Sequence, residues 1–203
     1  MLGKQVLAQA DPVLKRIIDT IHEPIVESTH DVFFDLMSCV IEQQIHYRST
    51  KRVFRNALER AGLPTLTPAN FYQLEAKALP SLKLSLPKYE TMARILDFWQ
   101  EKTVAWPELT DAEVRQTLAS IKGIGPWTID MLLLYTLQRP AVFPVDDFHL
   151  KQRMVRLYGL NPTSRLQAQM RAVAESWGDC KSLAVLYLLA WKESAKTFKK
   201  SYP

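Results

Sequence analysis

Cysteine is scarce, glycine is scarce and no long apolar run occurs; each shortage excludes something. Cys39 and Cys180 are the only cysteines among 203 residues. Two thiols cannot supply the four thiolates of an iron–sulfur cluster. The start, MLGKQVLAQADPVLKR, has no export-signal pattern, so the pair reads as reduced, buried thiols and not as a disulfide. The four histidines, His22, His30, His46 and His149, show no metal-ligand spacing, so no structural zinc is expected. No apolar stretch approaches the roughly 18 to 20 residues needed to cross a membrane. The glycines, six in all, build no flexible linker, and no repeat or low-complexity segment appears.

What is present suits a compact body. Hydrophobic residues make up 47% and charged residues 23%, enough for a core without wholesale disorder. The formal net charge is +5 and the isoelectric point about 9.2, which fits an anionic partner, although many proteins without one share that balance. The densest basic cluster, from Lys192 to Lys200, reads as a solvated helix end and tail.

Periodicity predicts helices throughout. Asp11-Pro12 is an N-cap followed by proline at the first helical position, and Asp31 opens a second helix. Ser49 opens a third, closed by Gly62, and Thr67-Pro68 starts a short one. Pro87 leads another, and Thr110 with Glu113 forms a capping box. A helix over 126–137 is apolar almost all round, so it should be central and buried. Asp146 is expected to cap the next helix, which ends near Gly159; the last two start at 161–164 and at Asp179. The fold class is all-α, about ten helices in a single compact unit of two lobes. One lobe spans about 31–138; the other joins about 1–30 to 139–203.

Two local patterns carry chemistry. Lys122-Gly123-Ile124-Gly125 joins two helices. Glycine lets the chain reach positive φ and lets another backbone come close, and the N–H groups at the following helix start suit a phosphate. Pro126 has no N–H, so the donors would be Gly123, Gly125 and Trp127 or Thr128, gripping backbone without reading sequence. Alone, such a GxG is more often a plain turn. Asp146 and Asp147 stand at a helix start, where aspartates commonly satisfy orphan amides and no chemistry need follow.

Taken together these pieces resemble the helix-hairpin-helix DNA glycosylase superfamily, in which a GxG hairpin and helix precede an aspartate by about twenty residues. Here Asp147 follows Gly125 by 22 positions. IKGIGPWTIDMLLLYTL followed by FPVDDFHLKQR is most similar to the 3-methyladenine DNA glycosylase II branch, and the resemblance extends from about Asp31 to Lys192.

The resemblance implies roles by position. Asp147 takes the catalytic place, and Asp147-Phe-His149 fits the Asp-x-His pattern of sister branches, which leaves Asp146 as the cap. His149 would touch the DNA backbone or cap its helix. Gly123, Gly125, Lys122, Thr128 and Trp127 form the DNA grip. Branches that cut DNA through a Schiff base carry lysine where Trp127 stands, so no lyase activity is implied; the indole would instead face an electron-poor base. Gln44, or Gln43 beside it, matches the wedge that fills the gap left by a flipped base. Tyr187, Leu189 and Trp191 lie where the pocket is lined. No cofactor is required, but a Na+ or K+ ion at the hairpin would be held by the carbonyls of Ala119, Ile121 and Ile124. The larger family members open with a β-containing domain, for which neither the length nor a strand pattern is expected in this sequence.

The implied activity is a monofunctional glycosylase acting as a monomer on damaged double-stranded DNA. It would flip out alkylated purines and hydrolyse the glycosidic bond, in the nucleoid-bearing cytoplasm of a bacterium or the nucleus of a eukaryote. The competing readings are a non-catalytic hairpin module that binds DNA, and a glycosylase for oxidised, deaminated or mismatched bases.

Overall fold

The structure is a computed structural model that describes residues 2–42 and 52–191. Every regular element among them is helical, with no strand. Packing divides the chain into two compact units. One is Glu27–Arg139; the other joins the chain up to Val26 to the chain from Pro140 onward.

In the Glu27–Arg139 unit, α3 (Val32–Ile41) starts where Asp31 accepts the Phe34 N–H at 2.9 Å, and all but Phe34 of its ten residues are buried. Helix α4 (Arg52–Ala61) shows a cleaner amphipathic stripe, burying Phe54, Ala57, Leu58 and Ala61 at helical spacing. Its expected start at Ser49 lies outside the described residues. Gly62 follows at φ 72°, and the Leu63 N–H reaches back to the Leu58 carbonyl, as a glycine-closed helix end should. Helices α5 (Phe71–Lys77) and α6 (Leu86–Glu101) come next, then α7 (Asp111–Ala119), which begins with the expected Thr110–Glu113 box.

The stretch over 126–137 departs from a single α-helix. Helix α8 (Pro126–Met131) passes into a π-helical turn, Leu132–Thr136. The expected burial holds, with Leu132, Leu133 and Leu134 all at 2% exposure or less. The widened turn is fastened by side chains that periodicity does not display. Thr136 Oγ1 and Thr29 Oγ1 both donate to Asp35 Oδ2, at 2.6 and 2.7 Å, and Ser28 Oγ donates to the Thr136 carbonyl at 2.6 Å. Asp35 is buried, so these hydroxyls offset much of the cost of placing a carboxylate in the interior.

The other unit opens with α1 (Leu2–Ala10), a helix the sequence pattern did not announce, and continues with α2 (Pro12–Ile18). Asp11 caps α2 as expected, accepting from the Val13 and Leu14 N–H groups at 2.8 and 3.0 Å. Its other oxygen accepts from Tyr158 Oη at 2.7 Å and Trp177 Nε1 at 2.8 Å, so one carboxylate ties three segments of this unit. After Pro140 come α9 (Phe148–Tyr158), α10 (Leu166–Glu175) and α11 (Lys181–Ala190). Helix α10 begins a little later than its expected start, after Arg165 in the left-handed region at φ 45°.

One expectation is corrected at α9. Its N-cap is Asp147, whose Oδ1 accepts the Leu150 N–H at 2.8 Å, and not Asp146. The Asp147 N–H donates to the Pro144 carbonyl at 2.9 Å, closing a turn that leaves Asp146 one position outside the helix and exposed. His149 is likewise not a cap; it sits in the first turn that Asp147 already closes.

Candidate functional site

The hairpin is built by opposite demands at its two glycines. Gly123 has φ +106°, and a Cβ there would lie 2.2 Å from Thr91 Oγ1 and 2.9 Å from Thr91 Cγ2. Both the backbone and the neighbour therefore require glycine. Gly125 has φ −96° and nothing within 4 Å of a built Cβ. Neither reason applies to it, contrary to the expectation that both glycines serve the turn.

Between them, the Ile124 N–H donates to the Ile121 carbonyl at 3.1 Å. Ile121 and Ile124 turn their side chains into the core while Lys122 is exposed. Among the described residues, no protein acceptor takes the N–H of Gly123 or Gly125. Trp127 is half-buried in the first turn of α8, and the Thr128 side chain is buried. An ion pair of 2.6 Å from Arg115 on α7 to buried Asp130 on α8 braces the two helices behind the turn.

The hairpin's other support is α6. Thr91, whose Oγ1 donates to the Pro87 carbonyl at 2.8 Å, presses on Gly123. One turn earlier, Lys88 Nζ donates to the Ile41 carbonyl at 3.3 Å, and its partial burial lowers the ammonium pKa, with nearby Glu42 acting in the opposite sense. Glu42 is buried at the end of α3, and its Oε1 accepts the Phe54 N–H at 2.9 Å. Gln43 and Gln44 follow directly and lie outside the described residues.

In the other unit, Asp147 is 7% exposed and seated at the N-terminus of α9. Phe148 beside it is 63% exposed, its ring edge-on to His149 at 5.3 Å. An uncovered aromatic next to the acid is a residue that sequence reasoning passed over, since nothing in the pattern separates it from a core phenylalanine. Asp146 accepts from Lys151 Nζ at 3.2 Å and from Gln167 Nε2 at 2.6 Å.

Of the residues assigned to a base pocket on α11, Tyr187 is fully buried and Leu189 partly so. Tyr187 Oη has no hydrogen-bond partner among the described residues, and burial, helped by Glu23, raises the phenol pKa. Trp191, just past the helix, is 8% exposed with the Arg153 guanidinium 5.6 Å from its ring centre.

No protein-family model matches the chain. Curated relatives do. The DNA-3-methyladenine glycosylase 2 of Escherichia coli is 31% identical over 123 residues, 60% of this chain and 41% of that protein. The DNA-3-methyladenine glycosylase of Bacillus subtilis is 26% identical over 205 residues, 90% and 64%. Another Bacillus subtilis relative, 29% identical over 168 residues, is matched across 58% of its length and 78% of this chain. The chain thus spans about two fifths to two thirds of these proteins.

Solved structures agree in fold. The 3-methyladenine DNA glycosylase Mag1 of Schizosaccharomyces pombe, in complex with abasic DNA, superposes with a TM-score of 0.72 at 22% identity, covering 93% of this chain and 95% of that one. An 8-oxoguanine glycosylase/lyase of Clostridium acetobutylicum bound to duplex DNA gives 0.64 at 21%, covering 92% and 67%. In sequence the chain is similar to DNA-3-methyladenine glycosylases over part of their length, and its fold is that of the helix-hairpin-helix DNA glycosylases.

Proposed function

We propose that the chain is a monofunctional DNA glycosylase of base excision repair. It would turn alkylated purines of the 3-methyladenine or 7-methylguanine type out of duplex DNA and hydrolyse their N-glycosidic bond. The observation that carries this reading is Asp147: a buried carboxylate, oriented by the Leu150 N–H, at the position of the family's catalytic acid.

The chemistry follows from charge. An alkylated purine is cationic, so it leaves as a neutral base when the C1′–N bond breaks and takes the bonding pair, and no strong general acid is needed. Positive charge develops on the deoxyribose, and the Asp147 carboxylate stabilises it. A water adds at C1′ and gives up a proton, for which Asp147 is the acceptor. The products are free base and an abasic site.

The remaining roles are assigned to match. The N–H groups of Gly123 and Gly125, with that of Thr128 and the exposed Lys122, would hold a backbone phosphate. His149 would add a contact to the same backbone, and Gln44 or Gln43 would fill the vacated place in the stack. Trp127, standing where Schiff-base branches have lysine, offers an aromatic face and no amine. Tyr187, Leu189 and Trp191 would line a base pocket within their own unit.

A Na+ or K+ ion would be held by the carbonyls of Ala119, Ile121 and Ile124. The Ala119 carbonyl ends α7 among the orphan acceptors of a helix C-terminus, while that of Ile121 already accepts one N–H. Such an ion would stiffen the hairpin, and the reaction itself requires no cofactor. The protein would act as a monomer wherever the genome is kept.

The test is base release from duplexes carrying 3-methyladenine, 7-methylguanine, hypoxanthine or 1,N6-ethenoadenine. Asp147→Asn, which can still cap α9, should bind abasic-site DNA yet release methylated purines at least about a hundredfold more slowly. Wild-type release by that variant would overturn the mechanism. Borohydride trapping on abasic DNA should leave no covalent adduct, and a robust adduct would refute the absence of lyase activity.

A further inference from the structure

We propose that Asp146 is a positioning residue that keeps the Lys151 ammonium away from the Asp147 carboxylate. The inference rests on the glycosylase reading of Asp147 and gives its exposed neighbour a task.

Lys151 stands four residues after Asp147, one helical turn on, the separation at which opposite charges on a helix pair. It pairs elsewhere, with Nζ 3.2 Å from Asp146 Oδ1. Asp146 and Lys151 occupy the positions just before the cap and four into the helix, where a hydrophobic pair commonly fixes the entry of the chain; here an ion pair takes its place. Asp146 is itself anchored from a second helix, since the same oxygen accepts from Gln167 Nε2 at 2.6 Å in the first turn of α10.

The arrangement matters because of the sign of the charge that develops during base release. An ammonium paired with Asp147 would offset the field of that carboxylate and oppose the positive charge forming on the sugar. A surface ion pair contributes little to stability, so the Asp146–Lys151 pair has small structural value of its own. Its consequence lies in where the ammonium does not go.

Asp146→Asn separates the two jobs of this side chain. It keeps an oxygen to accept from Gln167 but removes the charge that holds Lys151. The expected result, in single-turnover release of 7-methylguanine, is a rate roughly tenfold below wild type with unchanged affinity for abasic-site DNA, a smaller loss than removal of the Asp147 carboxylate gives. In a Lys151→Met background, Asp146→Asn should leave the rate where Lys151→Met alone puts it, because no ammonium remains to divert. A wild-type rate for Asp146→Asn overturns the proposal. So does the same fractional loss in both backgrounds, which would make Asp146 an anchor for α10 only. Melting temperatures of the four proteins accompany the rates, and a loss that follows the melting shift and not Lys151 also counts against it. Asp147→Asn is run alongside. If it releases base at the wild-type rate, the reading of Asp147 fails; if it is inactive while Asp146→Asn is not impaired, only the present inference fails.

Discussion

Thr91 Oγ1 fills the place that a side chain at Gly123 would need, 2.2 Å from the position of its Cβ. The Thr91 hydroxyl is not free to yield, because it donates to the Pro87 carbonyl inside α6. Gly123→Ala should therefore combine a steric clash with the strain of φ +106°, the latter alone about 1–3 kcal/mol. A thermal melt should show a marked loss. Thr91→Gly in the same chain should recover the clash but not the strain; complete recovery would mean that backbone conformation contributes nothing here.

Gly125 should behave in the opposite way. With φ −96° and open space around a built Cβ, Gly125→Ala should change stability by no more than about 0.5 kcal/mol. If the open space admits a phosphate, the same methyl group should weaken binding to abasic-site DNA. Fluorescence anisotropy beside a melting curve decides the matter: an intact fold with intact binding would remove Gly125 from the proposed grip.

How much of this was legible in the sequence depends on how local the cause is. Asp11, Asp31 and the Thr110–Glu113 box act within three residues of themselves, and each cap stands where its residue type and spacing placed it. Asp146 and Asp147 show the limit of that reading. Either aspartate could have capped α9, and the choice fell to the turn closed by the Asp147 N–H on the Pro144 carbonyl. The π-helical turn at Leu132–Thr136 was hidden for another reason. Its widening is fastened by Asp35, 101 positions from Thr136, and no local pattern encodes such a partner. The hairpin was visible as two glycines, but the difference between them depends on Thr91, which only the fold brings near.

Asp11 offers a test of a long-range hub. Tyr158 Oη and Trp177 Nε1 both donate to its Oδ2, and Trp177 is fully buried. Asp11→Ala removes a helix cap and leaves both donors unpaired, so a loss of at least about 3 kcal/mol is expected in chemical denaturation. The tyrosine also carries a pH signature. Burial first, then the hydrogen bond to Asp11, raises its pKa above the ordinary phenol range. A group whose folded pKa is raised contributes stability that is fully present below the unfolded pKa, about 10, and is lost as pH climbs toward the folded value. Stability should thus decline above roughly pH 10, and Tyr158→Phe should make that decline shallower. An equally steep decline in the variant would show that other groups cause it.

Tyr187 makes the opposite case of an aromatic hydroxyl. It is as buried as Trp177, yet its oxygen has no hydrogen-bond partner among the described residues. A buried polar group left in that state costs about 1–3 kcal/mol, so Tyr187→Phe should hold or raise the melting temperature where most core substitutions lower it. The same variant asks whether the proposed pocket uses the hydroxyl. Unchanged release across the panel of damaged bases would confine Tyr187 to packing. A loss confined to bases with a hydrogen-bond acceptor at one edge, in a protein of equal or greater stability, would mean that an interior donor is kept unsatisfied for the extruded base. A lower melting temperature would contradict the argument at its root, because the hydroxyl would then have a partner that stabilises the folded chain.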